Sequence, residues 1–283
     1  MKSNILYFLI TILSSIATAQ QVTYQVLEDE PKKAYTKFIA PELGTEYNST
    51  TLSVFVGANG RYGLTNALTL EGAARIDVYN LNGPGPGLLF EGGAFLPLTS
   101  KIKNKEVPII LSYNPYAGTT YKDGKSYNVE ETKSITIPNG QYYNQMGVRG
   151  GLHYRKTGST DLTYTTESPI NLMGIYLGGQ FTTQAYVKTK INNEVERIGA
   201  GFTRVYVDAL ILPVTEIKDP AANDGLKDDG AIGWRVGFQW YLSPHDGEYK
   251  FLGSSVFTAE IGSRPLSGFL FNLSWGFALL NSR

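Results

Sequence analysis

The sequence predicts an all-β protein: a transmembrane antiparallel up-and-down β-barrel of about ten strands, with twelve as the alternative. Three observations predict it. An alternating stripe of membrane-spanning length runs from Ile232 to Leu242. The same alternation recurs in nearly every segment from Leu52 onward, including the terminal one. The face opposite each apolar stripe carries glycine and charges of both signs, as a polar lumen requires.

In the first stripe Ile232, Trp234, Val236, Phe238, Trp240 and Leu242 share one parity, and Gly233, Arg235, Gly237, Gln239 and Tyr241 share the other. Period two is the signature of a strand whose two faces meet different surroundings. At roughly 3.3 Å per residue and a tilt near 45°, the stripe rises about 23 Å, close to the roughly 25 Å apolar band of a membrane barrel. A strand of a soluble sheet is about half as long. A secreted β-sandwich would share the period but not the length.

Taken in order, the chain opens with Met1-Lys2, an apolar run from Ile5 to Leu13, and Ala17-Thr18-Ala19. This is the pattern of a cleaved signal peptide, residues 1–19, and it is set apart from the fold. Residues 20–49 contain the charged, proline-broken run Glu28 to Lys33 and are expected to form a periplasmic arm, an internal plug or an extra hairpin. The barrel is assigned to residues 50–283. Alternation then marks strands at Leu52–Leu64, Leu68–Val78, Leu88–Leu98, Val107–Tyr113, Tyr142–Tyr154, Met173–Val187, Ile198–Val214, Ile232–Leu242, Phe257–Ile261 and Phe269–Leu279.

Turn chemistry separates these strands. It occurs at Thr65-Asn66-Ala67, Gly83 to Gly87, Lys101 to Glu106, Asn192-Asn193, Lys218 to Gly230, Ser243 to Gly247 and Ser263-Arg264-Pro265. Gly158 to Pro169, rich in Ser and Thr, is ambiguous. Residues 118–140 are polar throughout and read as the longest loop, carrying a small hairpin around Ser134 to Pro138. Ten strands place that loop on the side of the chain ends; twelve place it on the opposite side.

Composition excludes several classes. Basic and acidic residues balance at 25 each, so nucleic acid is not an expected partner. The absence of cysteine excludes disulfides and a lipoprotein anchor. No window past the signal approaches 18 consecutive apolar residues, which excludes a helical membrane protein. Glycine (31) and tyrosine (19) are abundant, as suits a curved sheet that meets a water–lipid boundary.

The cleavable signal, the Tyr- and Gly-rich alternating strands, the short turn Leu64-Thr65-Asn66-Ala67-Leu68 and the aromatic terminal strand resemble outer-membrane β-barrel proteins of Gram-negative bacteria. The resemblance spans about Leu52 to Leu280 and is architectural. It implies a cell outer-membrane location, contact with outer-membrane lipid and lipopolysaccharide, and an even strand count. One departure stands out. Such proteins often end on an aromatic residue, whereas this chain ends Leu280-Asn281-Ser282-Arg283, with Phe277 the nearest aromatic.

Parity assigns Arg61, Glu71, Arg75, Asp77, Glu91, Arg149, His153, Arg155, Arg204, Asp208, Arg235 and Glu260 to the lumen. It assigns Trp234, Phe238, Trp240, Phe269, Phe271, Trp275 and Phe277 to the lipid face. Buried charges must be paired, and about eight to ten strands leave little more than side-chain room. The lumen is therefore expected to be a mutually paired polar core. A narrow channel for small polar or anionic solutes, where Arg149, Arg155 and Arg235 gather, is the alternative.

An enzyme is not expected. His153 and His245 are the two histidines, and no Ser-containing motif marks a nucleophile for an outer-membrane lipid-modifying enzyme, which is the second alternative. No metal or other cofactor is expected: ligand pairs are missing, and Asp219, Asp224, Asp228 and Asp229 read as a solvated cluster. Asn48-Ser49-Thr50 matches a glycosylation sequon that has little meaning in a bacterial chain. The function expected is that of a non-catalytic barrel, an accessory or scaffold subunit of an outer-membrane complex for assembly, secretion or import. Other outer-membrane or periplasmic proteins are its expected partners.

Overall fold

The computed structural model describes residues 22–33, 36–49, 52–81, 87–159, 168–193, 195–217, 231–242, 255–265 and 268–279. The expected signal peptide at residues 1–19, His245, the expected loop at 218–230, the expected turn at 243–247 and most of Gly158–Pro169 lie outside them.

Eleven strands follow one another: β1 (Tyr24–Asp29), β2 (Lys37–Asn48), β3 (Leu52–Thr65), β4 (Leu68–Asn80), β5 (Leu88–Lys122), β6 (Lys125–Ser159), β7 (Ser168–Ile191), β8 (Val195–Ile217), β9 (Ile232–Leu242), β10 (Ser255–Arg264) and β11 (Gly268–Phe277). One 3-10 turn, Pro31–Lys33, separates β1 from β2. From β2 to β11 each strand pairs antiparallel with the next in sequence, and β11 pairs back onto β2 through Leu270↔Asn48 to Gly276↔Glu42. The ten strands therefore close into a ring, which leaves no sheet edge unpaired within lipid. β1 stands outside the ring and pairs with the far end of β7, Tyr24 against Ile191.

The two faces of the ring are inverted relative to a soluble protein. In β11 burial alternates, with Leu270, Asn272 and Ser274 buried and Phe269, Phe271, Leu273 and Trp275 exposed. Trp234, Phe238 and Trp240 of β9 are exposed likewise, and Phe277 is half-buried with its ring 4.3 Å from that of Trp275. Large apolar side chains cover the outside while arginines and carboxylates fill the inside. Only a lipid solvent makes that arrangement favourable. The fold is a transmembrane antiparallel β-barrel.

The count of ten agrees with the sequence expectation, but two differences cancel. The ring begins at Lys37: the second half of residues 20–49, expected to form an arm, a plug or an extra hairpin, supplies its first stave, β2. Its buried set is Phe38, Ala40, Glu42, Glu46 and Asn48. Pro41 interrupts the outward apolar series, which hides the stripe. In the other direction, Leu88–Leu98 and Val107–Tyr113 are one strand, since Lys101 to Lys105 continue β5 in register with Asn144 to Gly140, and Glu106 sits in a register shift before Val107 pairs with Ile137. A charged turn was expected there. These residues lie past the membrane-facing stretch, where charge carries no penalty.

Residues 118–140 likewise form strand rather than loop. The β5–β6 hairpin is closed by Asp123-Gly124, both at positive φ (51° and 73°), the two-residue turn that matches strand twist. This hairpin lies at the end of the ring where the first stave begins and the last finishes, together with the turns at 66–67 and Asn192-Asn193. β6 leaves β7 at Tyr142↔Ala185, and the β5–β6 ribbon continues alone. Near its root Val107, Ile109 and Ile137 pack on Ala185 and Val187, forming a second small core outside the ring. Here β7 buries the parity that faces lipid lower down. Asp29 of β1 accepts the Gln141 N–H at 3.1–3.2 Å and ties β1 to the same body. From Ser112 to Lys122 the ribbon is almost entirely exposed, a length of about 33 Å at 3.3 Å per residue.

Candidate functional site: the charged lumen

Seven buried arginines and seven buried carboxylates face one another inside the ring: Arg61, Arg75, Arg149, Arg155, Arg204, Arg235 and Arg264 with Glu42, Glu46, Glu71, Asp77, Glu91, Asp208 and Glu260. The equal numbers matter because an unmatched charge in this volume would be strongly destabilising. Some pairs join adjacent staves, and others are made by long side chains that span the lumen.

Arg235 (β9) joins Glu91 (β5) at 2.5 Å and Asp208 on the adjacent β8 at 2.8 Å. Arg204 (β8) joins Glu71 (β4) at 2.9 Å, and Gln180 (β7) donates to the same carboxylate at 2.9 Å. Arg75 (β4) joins Glu42 (β2) at 2.8 Å and Glu260 (β10) at 3.3 Å. Towards the end opposite the ribbon, Arg155 (β6) lies 2.9 Å from both Glu46 (β2) and Asp77 (β4), and Arg264 (β10) meets Glu46 at 2.8 Å. His153 shares Glu91 through Nδ1 at 2.5 Å and is 1% exposed.

Aromatic rings fill the space between the charges. The guanidinium of Arg149 lies 4.1 Å from the Tyr206 ring and 4.9 Å from that of Tyr176, and Arg235 lies 5.1 Å from Tyr176. Such stacks favour arginine over lysine. Tyr206 donates its hydroxyl to Glu260 two strands away, and its ring must cross the intervening β9 to do so. The register sets Gly237 beneath it, where an added Cβ would lie 2.1 Å from the ring. Glycine here is a packing requirement.

Apolar groups stand beside the outermost charges at both ends, Phe38 paired with Arg61 and Leu172 with Arg155. Phe38, Phe202 and Tyr241 meet edge-on with centroids 4.7–6.3 Å apart toward the ribbon end. Leu172, Tyr176, Leu210 and Leu212 cluster toward the other. The turn Pro31–Lys33 lies against the ribbon-side mouth: the Gln184 amide donates to the Pro31 carbonyl at 2.7 Å, and the Lys32 ammonium is 5.5 Å from the Tyr143 ring. Two spaces between the lumen side chains measure about 30 and 40 Å³, room for a few water molecules each.

All twelve lumen residues expected from parity are buried in this network. Glu42, Glu46 and Arg264 were not anticipated. The first two belong to the stave obscured by Pro41, and Arg264 looked like a turn residue beside Pro265 although it pairs with Gly268 at the end of β10. The alternation Phe38, Ala40, Glu42, Gly44, Glu46 was the available signal. Among the described residues no cluster of three or more His, Asp or Glu is arranged to hold a metal.

Ring and lumen together define the class: a membrane-spanning β-barrel with a filled, charge-paired interior. No family model matches this sequence, and no curated protein matches it. Among solved structures, OccK2 of Pseudomonas aeruginosa, crystallised with glucuronate, matches at 10% identity over 87% of this chain and 96% of that one, with a TM-score of 0.20. The loop-L8 deletion mutant of OmpT, an outer membrane protein of Vibrio cholerae, matches at 11% identity over 91% and 99%, with a TM-score of 0.16. The fold is defined by the closed ring itself.

Proposed function

We propose that this protein is a non-catalytic barrel of the bacterial outer membrane that serves as an accessory or scaffold subunit, with the β5–β6 ribbon on the periplasmic side. The observation that carries this reading is the lumen: Arg235, 1% exposed, is held between Glu91 and Asp208 where a solute path would run. A channel for polar or anionic solutes would need free arginines and a continuous aqueous passage. The arginines that would attract an anion are neutralised by an equal number of carboxylates.

Two further observations support the reading. The ribbon gives the barrel a long exposed arm bearing Tyr113, Tyr116, Tyr121 and Tyr127, while its root is fixed by a packed core. Lipid hydrolysis would need a base within reach of a nucleophile on the lipid face, whereas His153 is buried in the lumen on Glu91.

Liposome swelling with small sugars and organic anions tests the closed lumen, with swelling no faster than in protein-free vesicles expected. Purification in mild detergent followed by mass measurement tests the scaffold role. Stoichiometric co-purifying chains that are lost with the ribbon are expected, and a monodisperse monomer that swells liposomes would overturn the proposal.

A further inference from the structure

The outer wall of the barrel is not evenly covered. On β3 and β4 the outward positions Gly60 and Gly72 are directly paired, so no side chain rises from either. Around them stand Ile39 on β2, Tyr62 on β3, Leu70 on β4 and Leu279 just beyond β11. The result is a shallow, apolar groove of about 620 Å³ on the membrane-facing surface. That volume lies within the roughly 300–1,000 Å³ typical of small-molecule sites. One end of the groove carries a cation: the Lys37 ammonium sits over the Tyr62 ring at 4.5 Å from its centroid. Lys37 is the first residue of the ring, so this end coincides with the ribbon-side rim. No ion pair of Lys37 occurs among the described residues.

We propose that this groove binds one phospholipid, with an acyl chain along Gly60 and Gly72 and the phosphate at Lys37. Charge and depth select this occupant. An apolar trough inside the bilayer accepts an acyl chain, and an ammonium held at the rim by an aromatic ring meets the anionic headgroup where it leaves the apolar layer. An aromatic and a lysine side by side also mark the water–lipid boundary. The proposal rests on the membrane placement above and is independent of whether the lumen is closed.

Native mass spectrometry of the full-length barrel, titrated with phosphatidylglycerol in mild detergent, tests it. One saturable lipid per barrel is expected. Gly72→Leu fills the groove and should abolish saturable binding. The built Cβ at Gly72 would meet the Glu91 carbonyl oxygen at 3.2 Å, so only a small local adjustment is needed. If Gly72→Leu fails to fold, Lys37→Gln leaves the groove floor intact and should weaken phosphatidylglycerol binding about fivefold. Retention of the same saturable lipid in a folded variant, or binding to the native barrel that never saturates, would overturn the proposal. Quenching of tryptophan fluorescence by brominated lipid checks membrane placement separately, so failure of the lipid site and failure of that placement are distinguishable.

Discussion

Arg235 on β9 and Glu91 on β5 meet across the lumen at 2.5 Å, four staves apart around the ring. The same guanidinium holds Asp208 at 2.8 Å, and His153 holds the same Glu91 oxygen. A single cation thus ties opposite walls together. Removing one partner of a buried, hydrogen-bonded ion pair leaves the other charge stranded, typically at 3–5 kcal/mol. Arg235→Ala should lower barrel stability by about that amount, measured by denaturant unfolding in lipid vesicles. Arg235→Lys should recover only part of the loss, because a single ammonium cannot serve both carboxylates and stack on Tyr176. A loss under about 1 kcal/mol for Arg235→Ala would mean that the pair is hydrated and weak.

Gly237 lies under the Tyr206 ring where the tyrosine crosses β9 toward Glu260. Gly237→Ala would place a methyl 2.1 Å from the ring carbon that bears the hydroxyl. Displacing that ring should cost about 1–3 kcal/mol, the usual penalty of overpacking. The companion variant Tyr206→Phe should relieve none of this cost. A double variant that exchanges the sizes, Gly237→Ala with Tyr206→Leu, should recover part of it.

All three tryptophans, Trp234, Trp240 and Trp275, project outward and are 45–49% exposed. Whole-protein fluorescence therefore reports the outer wall alone. Reconstituted protein should be strongly quenched by lipids brominated on the acyl chain and only weakly by aqueous acrylamide. The opposite ranking would place these rings in water.

Among the described residues, the packed contacts of the β5–β6 ribbon with the ring lie at its root, and residues 112–133 are exposed. Its packed root ends near Ile109 and Ile137. Deleting residues 112–133 and rejoining the strands with an Asp-Gly turn should leave unfolding of the barrel unchanged within about 1 kcal/mol, as expected when only exposed strand is lost. The same deletion should abolish recovery of the proposed partner chains. If the truncated barrel fails to fold, the ribbon belongs to the folding unit rather than to an appendage.

Much of the barrel was legible from alternation alone. Ile232–Leu242 is a ring strand with the predicted faces, and the twelve expected lumen residues are buried. Alternation fails where chemistry masks it. Pro41 breaks the outward series of β2, and Lys101 to Glu106 look like a turn because the strand has left the membrane and no longer needs an apolar face. Parity assigns a face but no distance. It places Arg235 and Glu91 inside without revealing that they meet, because the partner depends on ring size, strand stagger and the rings of Tyr176 and Tyr206 between them. The groove at Gly60 and Gly72 was equally hidden, since two outward glycines become neighbours only through the β3–β4 register.

Planar-bilayer recording of the purified native barrel tests the closed lumen most directly. No discrete conductance steps are expected from the native protein in 1 M KCl, a concentration roughly tenfold above that giving a 10 Å Debye length. Simultaneous truncation of Arg235 and Glu91 to alanine should introduce such steps by removing the cross-brace. Regular, reproducible steps from the native protein, unchanged by that truncation, would contradict a lumen closed by its own charges.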